Sequence, residues 1–197
     1  MNQVLCVYSS SSCAIDRKYF ELAEELGENI TRRGDQLLFG GGLVGLMGAV
    51  AESVQKHGGK VIGVIPKALN VAGIVFDHCD ELIVTEGLRE RKATMDARSD
   101  AFIALPGGYG TLEECLEIIT LKQLRYHNKP IIIINLDHFY QPLLDQFERF
   151  VSERFAKPEC RKLYAVVTSV PEAMEYLDHY QPYQFEGKWM TDVERSR

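Results

Sequence analysis

Seven short apolar runs, QVLCVY, QLLF, KVIGVI, ELIV, AFIAL, PIIIIN and YAVVTS, recur along the chain between longer amphipathic stretches. They read as continuous aliphatic and β-branched blocks more than as strict apolar–polar alternation, the pattern of strands buried on both faces. Helical periodicity fills the intervals at roughly residues 15–33, 45–57, 88–98, 110–126, 140–155 and 171–180. Strand alternating with helix predicts an α/β domain, a Rossmann-like doubly wound parallel sheet of about seven strands with helices on both faces.

No internal repeat, low-complexity tract or Gly/Ser linker interrupts this alternation, so residues 1–180 are expected to form a single domain. The tail 181–197, QPYQFEGKWMTDVERSR, is polar with interspersed aromatics and either packs on the surface or frays. Segment 66–80 is the longest irregular connection and a candidate flap. In the helix predicted over 110–126, Leu112, Cys115, Leu116 and Ile119 form one apolar stripe and Ile118, Leu121 and Leu124 a second. Two apolar faces need two covers; one is the sheet, and the other is a neighbouring helix or a second subunit of a homodimer.

Composition narrows the partners. The 197 residues are 46% hydrophobic and 25% charged, enough for one sizeable core. A formal net charge of −6 and the lack of a long basic patch argue against nucleic-acid binding. No apolar run approaches the ~20 residues of a membrane span, and the start MNQVLCVYSS lacks a secretory signal pattern; a cytoplasmic protein is expected. The five cysteines are scattered without a C-x-x-C pair, and the five histidines lack ligand spacing. No metal and no cofactor are expected.

Two glycine-rich turns carry the candidate chemistry. The first, Phe39-Gly40-Gly41-Gly42-Leu43-Val44-Gly45-Leu46-Met47-Gly48, lies between a strand and a helix and satisfies G-x-G-x-x-G. Such glycines let backbone approach a phosphate at a helix N-terminus, or simply permit a tight turn. A dinucleotide site would add an acidic residue about 20 residues on, at the end of the next strand. That strand ends Val64-Ile65-Pro66-Lys67, which counts against an NAD-linked oxidoreductase.

The second turn, Leu105-Pro106-Gly107-Gly108-Tyr109-Gly110-Thr111-Leu112-Glu113-Glu114, follows AFIAL directly and opens a long helix. Its backbone N–H groups and threonine hydroxyl suit a phosphate monoester. Two carboxylates beside an anion cradle either serve the helix dipole or perform a separate chemical task. No lysine follows either glycine cluster in the Walker pattern, so ATP hydrolysis is disfavoured.

GGGLVGLMG followed by RKATMDARSDAFIALPGGYGTLEE resembles the LOG (lonely guy) family of cytokinin riboside 5′-monophosphate phosphoribohydrolases, over roughly residues 3–180. The resemblance implies a Rossmann-like homodimer that cleaves adenine-type nucleotides to free base and ribose 5-phosphate. It implies Gly107, Gly108, Tyr109, Gly110 and Thr111 at the phosphate, Arg91 and Glu114 as the catalytic pair, and Lys92, Glu113 and Thr120 as further nucleotide contacts. Two departures bear on base selectivity: Leu88-Arg89 stands where Met-His is frequent, and Tyr8-Ser9-Ser10-Ser11-Ser12 lacks the usual glycine.

Cleaving a ribosyl N-glycosidic bond develops oxocarbenium character, which a fixed carboxylate stabilises. Glu114, read as lying in the opening turn of its helix, is expected to be held ionised by the dipole. Arg91 would steady that carboxylate or the phosphate through its planar fork. Arg98, two turns beyond Arg91, is expected to reach the same cleft. Gly41, Gly42 and Ser10 are further candidate ligand contacts. Serines 9 to 12 together follow the first strand, where a parallel sheet places its crevice, and either bond ligand or form a polar loop. Arg89 is read as solvated and Cys13 and Cys115 as packed. The competing class is a nucleotide-binding sensor without hydrolysis.

Overall fold

The computed structural model describes residues 2–183, so the tail expectation falls largely outside the described residues. Strands β1 (Val4–Tyr8), β2 (Gln36–Phe39), β3 (Lys60–Pro66), β4 (Glu81–Thr85), β5 (Ala101–Ala104), β6 (Ile131–Ile134) and β7 (Ala165–Val167) alternate with six helices. These are α1 (Arg17–Arg32), α2 (Gly45–Lys56), α3 (Leu88–Arg98), α4 (Tyr109–Gln123), α5 (Gln141–Ser152) and α6 (Val170–His179). The strands form one sheet in the order β4-β3-β2-β1-β5-β6-β7, every neighbouring pair parallel.

Period-two geometry divides the apolar runs between two cores. Leu5, Val7, Leu37, Phe39, Ile103 and Ile132 pack with α1, α2 and α6. Cys6, Tyr8, Leu38, Ile62 and Phe102 pack on the other face with Met95 of α3 and Ile118 of α4. Both faces are buried, which is why the strands lack polar alternation. Asp16 caps α1 by accepting from the Lys18 N–H at 3.0 Å, and Pro171 stands in the first turn of α6.

The chain order reverses between β1 and β5, so their carboxyl ends flank the crevice where open α/β sheets take ligands. Leu105 N–H donates to the Tyr8 carbonyl at 2.9 Å and closes the floor of that crevice. Segment 66–80 is anchored at its far end: Leu43 N–H donates to the Ile74 carbonyl at 2.7 Å and Phe76 N–H to the Gly41 carbonyl at 2.9 Å. Phe76 is buried edge-on against Phe39. Residues 67–74, 77, 78 and 80 of the candidate flap are exposed, and Phe76 is the buried anchor between them.

Helix α4 differs from its expected pattern. Thr111, Glu114, Cys115, Ile118 and Lys122 share one buried face, so Cys115 and Ile118 belong together, not to separate stripes. Leu116 and Leu124 are exposed instead. Cys115 packs as expected, whereas Cys13 is exposed because the polar loop after β1 leaves it outside the core.

The glycines of the first turn are fixed by contact. A β-carbon at Gly48 would lie 1.8 Å from the Leu43 carbonyl oxygen, within the backbone of its own turn. Gly48→Ala should therefore destabilise the protein by about 1–3 kcal/mol in urea unfolding. Gly87→Ala, whose added β-carbon meets no described atom within 4 Å, should stay within about 0.5 kcal/mol.

Candidate active site

The two glycine turns place two helix N-termini at the carboxyl edge of the sheet, and the chain treats them differently. At α2 the Ser10 carbonyl accepts from Leu46 N–H at 2.8 Å and Met47 N–H at 3.4 Å. Gly45, at φ +68°, lets that loop approach, since a β-carbon there would lie 2.5 Å from Ser11 backbone. Ser10 Oγ also accepts from Ser12 N–H at 3.0 Å. The chain itself thus occupies the amide end of α2.

Helix α4 has no such partner among the described residues. Its N-cap is Gly108, which offers no side chain, and the first helical bond runs from Leu112 N–H to the Gly108 carbonyl at 3.0 Å. The N–H groups of Tyr109, Gly110 and Thr111 therefore belong to the orphan first turn. Nothing described lies within 4 Å of an added β-carbon at Gly108 or Gly110, and Tyr109 is 95% exposed. Gly107 is needed for packing, because Thr111 Oγ1 would stand 2.1 Å from a β-carbon there. Tyr140 supports the loop from below, donating from Oη to the Leu105 carbonyl at 2.7 Å.

Beside this open end lies a buried ion pair. Arg91 Nη2 meets Glu114 Oε1 at 2.8 Å, with the two side chains 12% and 11% exposed. Arg91 Nε donates to the Val64 carbonyl at 3.1 Å, and its guanidinium lies where a β-carbon of Gly40 would stand, 2.4 Å from Nη2. The fork is thereby held by α4, by the end of β3 and by the backbone after β2.

Glu114 is not in the opening turn. Helix α4 begins at Tyr109, which puts Glu113 and Glu114 in the second turn, beyond the reach of most of the dipole. Burial is the largest influence on Glu114 and raises its pKa above the ordinary value, with Arg91 opposing that shift. Its charged form rests on Arg91. Beneath it, burial pushes the Cys6 and Cys115 thiols up to about 12, which leaves them protonated and unreactive.

The remaining candidates divide. Lys92 pairs with Glu113 and, at 2.7 Å, with Glu117, so its charge is committed along α4. Arg98 is a correction: it forks onto Glu81 at 3.0 and 2.7 Å, at the start of β4, because α3 runs back towards the amino edge of the sheet. It does not reach the crevice. Thr120 is exposed and donates to the Leu116 carbonyl at 2.8 Å, facing the groove between α4 and α5. Gly41, at φ +71°, presses against β3, and Gly42 lies against Met47. Arg89 is exposed, as expected.

Sequence reasoning missed Gly40 and Tyr140. Ser9, directly after β1 at the switch point, is 9% exposed and its hydroxyl has no partner among the described residues. Its position immediately after the first strand is the signal that makes serines 9 to 12 candidates in the sequence. Gly40 and Tyr140 act through long-range contacts that leave no local pattern.

A doubly wound sheet with one open helix N-terminus and a buried Arg–Glu pair at its switch point defines a Rossmann-like α/β protein with a charged crevice. Known proteins narrow the class. A family model described as "Possible lysine decarboxylase" matches residues 47–177. The cytokinin riboside 5′-monophosphate phosphoribohydrolase LOG of Oryza sativa subsp. japonica is 43% identical over 178 residues, covering 90% of this chain and 74% of that protein. A phosphoribohydrolase of the same description from Arabidopsis thaliana is 39% identical over 178 residues, covering 90% of this chain and 84% of that one. The molybdenum cofactor binding protein from Rippkaea orientalis has the same fold, with a TM-score of 0.70 at 24% identity over 90% of this chain and 96% of that chain. The chain belongs to the LOG family, whose named members here are phosphoribohydrolases.

Removing one member of the ion pair leaves the other buried and unpaired. Arg91→Met should destabilise the protein by about 3–5 kcal/mol. The double variant Arg91→Met/Glu114→Gln should recover more than half of that loss. A double-mutant cycle by urea unfolding measures the coupling.

Proposed function

We propose that the protein hydrolyses the N-glycosidic bond of N6-modified adenine nucleoside 5′-monophosphates, and of AMP, to free base and ribose 5-phosphate. The observation that carries this reading is the contrast between the two helix ends: α2 is capped by the Ser10 carbonyl, while α4 is open beside the buried Arg91–Glu114 pair. An open helix N-terminus takes an oxyanion. The carboxylate follows it by about 6 Å along the helix, four residues after Gly110, so a phosphate held there sets its ribose beside Glu114.

In this mechanism the bond between the anomeric carbon and the base nitrogen breaks with its electron pair passing to the base. Ionised Glu114 stabilises the oxocarbenium character left on the sugar. Water then supplies hydroxide to the anomeric carbon, and its proton balances the charge on the base. Arg91 keeps the carboxylate ionised and aimed. The names of the relatives support hydrolysis over the decarboxylation in the family model's description.

Incubation with isopentenyladenosine monophosphate should release free base and ribose 5-phosphate, detected by chromatography. Glu114→Ala should lower turnover by at least a hundredfold while nucleotide binding persists. Intact nucleotide at high concentrations of the unaltered protein would favour a sensor instead.

The pH profile tests the role of the carboxylate. Because burial raises the Glu114 pKa, the rate should rise with pH through a midpoint above the ordinary 4.5. The Lys92 charge lowers that pKa, so Lys92→Met should move the midpoint upward. A profile flat down to pH 4.5 would remove Glu114 from this role.

The same reading takes the protein as a cytoplasmic homodimer without nucleic-acid or membrane partners. Five free cysteines suit a reducing compartment. The groove between α4 and α5, lined by Leu116, Ile119, Phe147, Phe150 and Val151, is an apolar surface suited to a second copy. Helix α5 is amphipathic yet has no fully buried residue. Phe150→Asp should convert a two-chain mass to a one-chain mass in light scattering.

A further inference from the structure

The far end of α4 presents a different kind of anomaly. Lys122, in its last turn, is 4% exposed. Its Nζ donates to Tyr180 Oη at 3.0 Å and lies 5.0 Å above that ring, while Tyr180 Oη donates to the Asn128 carbonyl at 3.0 Å. These partners are neutral. Burial pushes the Lys122 pKa down to about 8, with no acid among its causes.

A cavity of about 330 Å³ opens beside Lys122, lined also by Arg125, His127, Asn128, Lys162 and Tyr183. None of its described lining residues is acidic. His127 forms a neutral wall: Nε2 meets the Ile118 carbonyl at 3.0 Å, and Nδ1 accepts from Lys129 N–H at 3.2 Å. Asp96, whose charge acts on His127, is taken by Lys129 at 3.2 Å. The three cations come from separate places: Lys122 from α4, Arg125 from the turn after it, and Lys162 from the short helix Pro158–Lys162, where its Nζ lies 4.4 Å above the Tyr183 ring.

The dipole of α4 favours cations at its carboxyl end, which accounts in part for Lys122 and Arg125. It does not account for Lys162, nor for a buried ammonium whose partner is a phenol. A buried charge is costly unless it is paired, and the protein as a whole is anionic at −6. Three convergent cations around a cavity without an acid among the described residues form a surface complementary to negative charge.

We propose that this cavity binds a small multivalent oxyanion, a phosphate group free or carried on a small molecule, held by Lys122, Arg125 and Lys162. Charge-assisted bonds to the phosphate oxygens give the buried ammonium the counter-charge that its phenol partner lacks. Lys122 lies 13 residues beyond Tyr109, about 20 Å along α4. The site is therefore distinct from the crevice and can be filled at the same time.

The test is a titration of the full-length ¹⁵N-labelled protein at constant ionic strength, with inorganic phosphate in one arm and glycerol phosphate in the other. Backbone amides of residues 122–128 report this cavity and those of 107–111 report the crevice. Saturable shifts of residues 122–128 in either arm are expected, and the arm with the lower midpoint identifies the free or the carried phosphate. The midpoint should rise at least fivefold in Lys122→Met and in the double variant Arg125→Asn/Lys162→Ala, whose two positions are exposed and leave the core intact. Residues 107–111 should keep their response in both variants. The proposal is overturned if residues 122–128 do not shift in either arm, if sodium chloride alone reproduces the shifts, or if the double variant changes the midpoint less than fivefold.

Discussion

The crevice depends on a single desolvated contact, the Arg91–Glu114 pair. A carboxylate buried at this depth tends to neutralise, and burial does raise the Glu114 pKa. The guanidinium counters that tendency, and it is itself held by a β3 carbonyl and by the backbone at Gly40. The charge state of one side chain is therefore set by four elements meeting at the switch point: the end of β2, the end of β3, α3 and α4. Each contributes geometry that the others cannot supply.

The two glycine turns illustrate how similar sequences take different physical roles. Both follow a strand and open a helix, and both were candidates for holding phosphate. The difference is whether another segment of chain fills the amide end of the helix. The loop after β1 bends onto α2 and supplies a carbonyl, while the turn after β5 has only glycine at its cap. A motif that describes one segment carries no information about a second segment folding back upon it.

That distinction also marks how much was legible in the sequence. All seven strands and six helices lie close to their expected positions, because continuous apolar runs and helical periodicity are local signals that tertiary packing reinforces here. The PGGYGT turn was legible from its glycines and threonine at a strand-to-helix junction, and the Arg91–Glu114 partnership through the family pattern. Arg98 was misplaced because counting turns along α3 gives a distance along the helix and not the direction in which it runs. The dipole argument for Glu114 failed by one turn, since the helix starts at Tyr109. Gly40 and Tyr140 stayed hidden because their roles arise from residues far away in the chain, whereas Ser9 was legible from its place directly after the first strand.

The central position of β1 has a consequence for how the molecule assembles. Its neighbours are β2 on one side and β5 on the other, and the second pairing joins Leu5 to Ala101. The four strands β1 to β4 add successively on one flank, each beside the one before. The opposite flank stays an unpaired edge until nearly a hundred further residues have been ordered or synthesised. Closing so large a loop precedes any reward from the contact, which slows folding. The ligand crevice is thus a late product of folding, absent from any intermediate that contains only the first half of the sheet.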